Sequence, residues 1–346
     1  MRSLGLIVDP LPPYRMIHLQ YANATDILAK TALRKGETKL GEQFEYLTAL
    51  EDLRDSTATY VVFGIEEDIG VQANFGKKGT AKAWDAFLNT FVNLQYNRYT
   101  HKNIILLGSI KVVPSEPINK NTPKQSLGDI VDRIDKMVSQ VVNAVVRANK
   151  IPIIIGGGHN NAFGNIKGVS LAKNNPINVI NIDAHTDLRP LDYRHSGNGF
   201  SAAYRQDDLS YLELYSIFGL HANYTSQAIF DWMDQRPQQI EYKLFEDITS
   251  ETDALHVFKT IISKLQNADI GLELDCDAIQ DFPTSAQTPS GFALNTIRKC
   301  VTLAASLPQI AYFHLCEAAP TKKTSGQVGK ALSYLVSDFI RAHDKH

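Results

Sequence analysis

The chain has 346 residues, a formal net charge of −2 and 44% hydrophobic residues. That is enough apolar material for a large buried core, and the mixed charges include neither the basic block of a nucleic-acid binder nor a long acidic tail. Cys276, Cys300 and Cys316 fit neither a CxxC metal knuckle nor a secreted disulfide scaffold.

At the N-terminus the apolar run Leu4–Val8 stops at Asp9-Pro10, too short for a signal segment or a membrane span, so a cytoplasmic protein is expected. Residues 1–56 read as an extension packed on the main domain, helical because Ala22–Leu53 carries helical spacing and many charges. Residues 57–346 read as one α/β domain, with strands expected at Tyr60–Gly64, Asn103–Leu107, Ile151–Ile155, Asn178–Asp183, Leu214–Phe218, Tyr242–Phe245, Ile270–Asp275 and Ile310–Leu315. Helices are expected at Leu127–Asn149, Asp253–Gln266, Asn295–Ala305 and Gln327–His343. Alternating strands and helices imply a mainly parallel sheet, and continuous apolar strands imply helices on both of its faces. Gly, Asn and Pro gather in the loops Gly70–Lys78, Val113–Gln125 and Pro283–Gly291. In open α/β sheets the ligand crevice lies at the carboxyl ends of the strands. Glu66-Glu67-Asp68 and Asp207-Asp208 read as solvated acids, Tyr204, Tyr211 and Tyr215 as packing residues, and Cys276 as a small buried hydrophobe.

Three apolar strands end in residues able to bind metal: Ile153-Ile-Ile-Gly-Gly-Gly-His159, Val179-Ile-Asn-Ile-Asp183-Ala-His185-Thr-Asp187 and Leu272-Glu-Leu-Asp275-Cys-Asp277. Strand alternation puts Asp183, His185 and Asp187 on one face and Asp275 with Asp277 on another, Cys276 turned away. Four ionised aspartates in one cleft repel one another, and two divalent cations cancel that charge. Oxygen-rich coordination with a few imidazoles and no thiolate favours Mn²⁺ over structural Zn²⁺. A two-metal site lowers the pKa of water held between the ions, and Asp187 could aim that water. The triple glycine alone suggests only a tight turn, since no Lys-Ser/Thr follows it as in a P-loop.

Gly157-Gly158-His159, Asp183-Ala-His185-Thr-Asp187, Ser196-Gly-Asn198, Asp275-Cys-Asp277 and Glu317 before Pro320 resemble the ureohydrolase superfamily of arginase, agmatinase and formimidoylglutamase. The resemblance runs from about Tyr60 to the C-terminus and implies a three-layer α/β/α fold with a pair of Mn²⁺ ions. It places one ion on His159, Asp183, Asp187 and Asp275, and the other on Asp183, His185, Asp275 and Asp277. It also gives Glu317 the cationic group of the substrate, which suits a carboxylate that can grip a flat amidinium through two hydrogen bonds.

Departures within the family narrow the substrate. Gly158 stands where arginases and agmatinases usually have Asp, and this GGGH form is more similar to formimidoylglutamase. Phe200 replaces the histidine proposed as a proton shuttle in arginase, and Arg189 replaces a neutral Asn that meets substrate carboxylate. An arginine there fits a more anionic substrate, with Arg194, His195, Ser196 and Asn198 as candidates for an anion-binding rim and Asn74 for the pocket lining. The resemblance thus implies hydrolysis of N-formimidoyl-L-glutamate to glutamate and formamide, with Asp187 and Glu317 catalytic and Arg189, Ser196 and Asn198 binding a small anionic substrate. Relatives are often dimers, trimers or hexamers, so a homo-oligomer is expected, with no nucleic-acid or membrane partner. The alternatives are another ureohydrolase acting on a guanidino compound, a non-catalytic metal-binding relative, and a histone-deacetylase-like zinc amidohydrolase, which would need only one metal.

Overall fold

The computed structural model describes residues 14–100, 103–114, 117–204, 210–265 and 268–344. Among the described residues nine strands form one sheet: β1 (Tyr14–Tyr21), β2 (Tyr60–Glu66), β3 (Ile104–Pro114), β4 (Ile151–Ile155), β5 (Ile177–Ile182), β6 (Leu212–Leu220), β7 (Ile240–Leu244), β8 (Ile270–Asp275) and β9 (Ile310–Cys316). Their order is β1-β3-β2-β4-β9-β8-β5-β6-β7. Every pairing is parallel except β1 with β3, which is antiparallel. The helices are α1 (Ala24–Lys30), α2 (Ile69–Ala73), α3 (Ala83–Phe91), α4 (Lys124–Arg147), α5 (Asn161–Lys173), α6 (Gly199–Tyr204), α7 (Gln227–Asp234), α8 (Glu251–Ser263), α9 (Leu294–Ala305) and α10 (Ser325–His343).

The central strands are mostly apolar because both sheet faces are covered, while the edge strands β1 and β7 carry charged residues such as Glu241 and Lys243. Along β2, Tyr60 and Val62 enter one core with α3, α8, α9 and α10, while Val61, Phe63 and Ile65 enter the other with α4 and α5. In β5, Ile180 and Ile182 join the first core, and Ile177 and Val179 the second. These are the three layers, α/β/α, that the motifs implied.

Two expectations need correction. Ala22–Leu53 is helical only at α1 and in short 3-10 turns at Leu40–Glu42 and Leu50–Arg54. Its charged residues satisfy local partners instead, as where Glu42 accepts from the backbone N–H of Lys39 at 2.6 Å. β1, which precedes this segment, pairs along β3 and so adds an edge strand to the main sheet. The triplet Glu66-Glu67-Asp68 is not a run of solvated acids. Glu67 is buried, and its carboxylate accepts from the backbone N–H groups of Ile69, Gly70 and Gly158 and from Asn161 Nδ2. Glu66 pairs with Lys111 and Ser109, and Asp68 accepts from Gly79 N. Asp207-Asp208, Gln266 and Leu4–Val8 lie outside the described residues.

The strand order explains where the site falls. From β4 the chain crosses to β5 and leaves two strand positions between them, which β9 and β8 later fill. Four adjacent strands, β4-β9-β8-β5, therefore present their carboxyl ends together at a topological switch point.

Candidate metal centre

Each of these four strand ends delivers ligand-type side chains. After β4, Gly156 (φ 90°) and Gly157 (φ 75°) take the left-handed turn that brings His159 over the sheet. A side chain at Gly157 would meet Asn161 Nδ2 at 2.4 Å and Glu67 Oε1 at 3.0 Å, so only glycine fits both the torsion and the space. Gly158 is equally confined, for a Cβ there would lie 2.7 Å from Asn160 Oδ1 and 2.8 Å from a Val71 methyl carbon.

Strand alternation is not what gathers the aspartates, because β5 ends at Ile182 and Asp277 lies in a 3-10 turn after β8. Both segments instead form the same local turn. Asp183 Oδ1 accepts from the backbone N–H of His185 at 2.7 Å, and Asp275 Oδ1 accepts from that of Asp277 at 2.9 Å. Such Asx turns fold the chain back and leave the second carboxylate oxygen of each facing His159, that of Asp183 also accepting from Asn181 Nδ2 at 2.8 Å. Asp187 completes its loop with a left-handed backbone (φ 47°), held from below where Tyr215 Oη donates to Thr186 O at 2.9 Å.

Among the described residues four overlapping groups of ligand-type atoms result. Two run through the buried Cys316 (His159 with Asp275 and Cys316, and Glu273 with His314 and Cys316), and two are built from carboxylates and imidazoles alone. Of these last two, His159, Asp183, Asp187 and Asp275 form one, and Asp183, His185 and Asp277 the other, each with its ligand atoms within 4.8 Å of one another. His159 Nδ1 lies 2.9 Å from Asp187 Oδ2 and 3.2 Å from both Asp183 Oδ2 and Asp275 Oδ2. His185 Nδ1 lies 3.0 Å from Asp277 Oδ2, and its ring stacks on Tyr224 with centroids 5.0 Å apart. Phe200 meets the His159 ring edge-on at 5.3 Å.

Divalent cations suit this donor set. Both His159 ring nitrogens and Asp277 Oδ1 are buried without a hydrogen-bond partner, which is costly unless something else binds them. Burial and the facing carboxylates Asp277 and Asp183 push the Asp275 carboxyl far above its usual range. Burial, with a contribution from Asp183, also raises Asp187. Cations held among these groups reverse that logic.

Glu317 closes the site from the end of β9, again with a left-handed backbone (φ 59°). Its carboxylate accepts from the backbone N–H of His159 at 3.0 Å and from Ser285 Oγ at 2.9 Å. Burial pushes its pKa up to about 8, against those two hydrogen bonds and with help from Asp277 and Asp187. Glu317, Asp187, Asp275, Asp277, His185, Arg189, Ser196 and Asn74 all line a cavity of about 200 Å³. A wider vestibule of about 470 Å³, lined by Lys77 and Asp281, shares His185, Tyr224, Ser285 and Ala286 with it.

The anticipated anion rim is only partly present. Arg189 Nη1 donates to Asn74 Oδ1 at 2.8 Å, and Asn74 Nδ2 donates to Ser196 Oγ at 3.1 Å, so these three form a linked polar edge. Arg194 and Asn198 are instead buried inside the loop and do not line the cavity. Arg194 pairs with Asp135 at 2.9 Å, and Asn198 accepts from Arg194 Nη1 and His195 N while donating to Pro190 O and Tyr193 O. Asn198 has no hydrogen-bonding group left for a substrate. His195 accepts from Gly197 N, and burial with the Arg189 and Arg194 charges lowers its pKa to about 4. Sequence reasoning took Glu67 for a solvated acid and passed over Asp135 and Glu273; Gly158 and Asn161 beside Glu67, Arg194 beside Asp135 and His314 beside Glu273 all lie far away along the chain.

The arginase family model matches residues 58–341. A formimidoylglutamase of Lysinibacillus sphaericus is 25% identical over 286 residues, covering 81% of this chain and 83% of that protein. The crystal structure of formimidoylglutamase from Bacillus subtilis superposes with a TM-score of 0.73 at 17% identity, covering 93% of this chain and 99% of that one. Formiminoglutamase of Trypanosoma cruzi, solved with Mn²⁺, gives a TM-score of 0.72 at 18% identity over 88% of this chain and 98% of that one. Because the family match runs from the threshold of β2 into the last turns of α10, and so spans every strand end that builds the site, this chain belongs to the arginase family.

Proposed function

We propose that this chain is a manganese hydrolase that cleaves N-formimidoyl-L-glutamate to L-glutamate and formamide, a step of histidine breakdown. The observation that carries the reading is one cavity lined by members of both ligand clusters, Asp187 and Asp275 from one and His185 and Asp277 from the other, together with Glu317 and Arg189. His159, Asp183, Asp187 and Asp275 would hold one Mn²⁺, and Asp183, His185, Asp275 and Asp277 the other. When bound, such a pair supplies Lewis acidity and lowers the pKa of water to near neutrality.

The chain's own groups do the rest. Glu317 faces the cavity with both oxygens oriented by His159 N and Ser285 Oγ, and in its ionised form it accepts the N–H groups of a flat amidinium. That pairing presents the amidine carbon to water. Asp187 stands beside His159 Nδ1, placed to hold a proton and pass it to the departing α-nitrogen as the C–N bond breaks. Arg189 offers its guanidinium to a substrate carboxylate, with Asn74 fixing its orientation and Ser196 beside it.

The relatives named formimidoylglutamase support this substrate. The same Arg189–Glu317 pairing also favours a second reading, a ureohydrolase for an acidic guanidino compound. A panel of formimidoyl-glutamate, arginine, agmatine and guanidinobutyrate, offered to the Mn²⁺-loaded protein, decides between them. Fastest release of formamide from formimidoyl-glutamate is expected, and faster urea release from any of the others overturns the substrate assignment.

A further inference from the structure

Glu273 is a fully buried carboxylate directly beneath the metal centre, on the strand that ends in Asp275. A buried charge is costly unless its surroundings are built for it, and here they are. Oε1 accepts from Tyr312 Oη at 2.8 Å and from Asn165 Nδ2 at 3.2 Å, and Oε2 lies 2.5 Å from His314 Nδ1. The other His314 nitrogen faces Gly156 O at 3.2 Å, the first residue of the turn that carries His159. On its open side Oε2 faces His159 Nε2 at 3.6 Å. At that distance the two are in ion-pair range but not hydrogen-bonded, and Nε2 has no hydrogen-bond partner, while Nδ1 of the same ring points into the carboxylate cluster.

We infer that Glu273 is a positioning residue for His159: its carboxylate faces Nε2 and holds the neutral ring in the Nε2–H tautomer, which would leave an unprotonated Nδ1 for the ion shared with Asp183, Asp187 and Asp275. The inference rests on the reading of His159 as a metal ligand. Carboxylate partners of ligating histidines fix the tautomer and the ring orientation, and removing one costs roughly 10- to 100-fold in metal affinity. Of the two histidines in the ligand set, Glu273 faces His159. His185 sits on the far side of the cluster, against Asp277 and Tyr224. The effect is therefore confined to one of the two ions.

The test is a Mn²⁺ titration by calorimetry together with electron paramagnetic resonance, which separates isolated from spin-coupled manganese. In Glu273→Gln, one ion is expected to weaken by roughly 10- to 100-fold. The other keeps its wild-type affinity, and an isolated-manganese signal appears at low occupancy. His314→Gln retains an N–H donor for Glu273 and is expected to keep both ions tight. A purely structural ion pair would make the two variants behave alike. If Glu273→Gln does not fold, the double variant Glu273→Gln/His314→Gln leaves two neutral amides in the same space and must lose the same ion. Wild-type affinity for both ions in a folded variant overturns the inference, as does equal weakening of both. A wild-type protein that binds no Mn²⁺ refutes the metal reading itself, a separate result.

Discussion

Glu317 Oε1 accepts the backbone N–H of His159 at 3.0 Å, so one hydrogen bond ties the carboxylate proposed to meet the substrate to the first of the proposed metal ligands. Replacing the charge while keeping the shape isolates the first role. Glu317→Gln should lower kcat/KM by about 10²–10³, in the range found for losing one preorganised electrostatic partner of the reacting group. Its Mn²⁺ stoichiometry should stay that of the wild type. Steady-state kinetics beside metal analysis checks this, and loss of metal together with activity would recast Glu317 as a builder of the centre.

The same carboxyl sets a pH dependence. Burial lifts it from its usual 4.5 to about 8. Below that value in metal-depleted protein a proton occupies the group that a guanidinium ligand needs, and guanidinium itself stays charged. Affinity for guanidinium should therefore rise with pH and level off above about 8. Loading with Mn²⁺ favours the ionised form, so the inflection should move to lower pH. Inhibition or binding constants measured across the pH range test both halves of the statement.

Metal removal carries its own signature in stability. Glu317, Asp187 and Asp275 have raised pKa values in the folded chain, so the folded state holds protons that the unfolded state has released. The stabilisation linked to these protons is complete below the unfolded carboxylate pKa and is lost as pH rises through the folded values. Chelated protein should melt at progressively lower temperature between about pH 5 and 8, and saturating Mn²⁺ should raise Tm most at the upper end. A Mn²⁺ effect on Tm that shrinks with rising pH would contradict the proposed site.

Arg189 is expected to act through binding. Removing its guanidinium, as in Arg189→Met, should raise KM for the dicarboxylate substrate by roughly 10- to 100-fold, the value of one charge-assisted contact, with kcat changed far less. Arg189→Lys should recover only part, since an ammonium lacks the fork. An unchanged KM would place the carboxylate elsewhere in the vestibule.

Arg194 makes the opposite forecast. Its contact with Asp135 at 2.9 Å lies inside the protein and anchors the loop that carries Arg189 and Ser196 to α4. Arg194→Met should cost about 3–5 kcal/mol at pH 8, the usual penalty for stranding one partner of a buried pair. Burial already pushes Asp135 up to about 6 with the arginine present, so the stranded acid takes up a proton on acidification and the penalty should shrink toward pH 5. Denaturant titrations at the two pH values give the comparison.

What the sequence made legible was mostly local. Ile151–Ile155 and Ile270–Asp275 could be bounded correctly because each is a short apolar run with a sharp polar stop. α5 escaped notice for the converse reason: residues from Asn161 to Ser170 are buried on nearly every side, which erases the helical stripe. The ligand types were readable, but the mechanism that gathers them was not, since turns closed by Asp183 and Asp275 replace the alternation of a strand. Asn198 and Arg194 advertise hydrogen bonding without saying with whom. Asp135, 59 residues from Arg194, and Glu67, 91 residues from Gly158, show how far away such partners lie.

Asp187 and Glu317 both hold left-handed backbones that only glycine adopts at ease. Glycine at either place would relax a torsion and discard a repelled negative charge at once. In the metal-free chain glycine at either position therefore trades the proposed chemistry for stability, whereas with Mn²⁺ present the loss of a ligand at Asp187 takes back what the relaxed torsion gives.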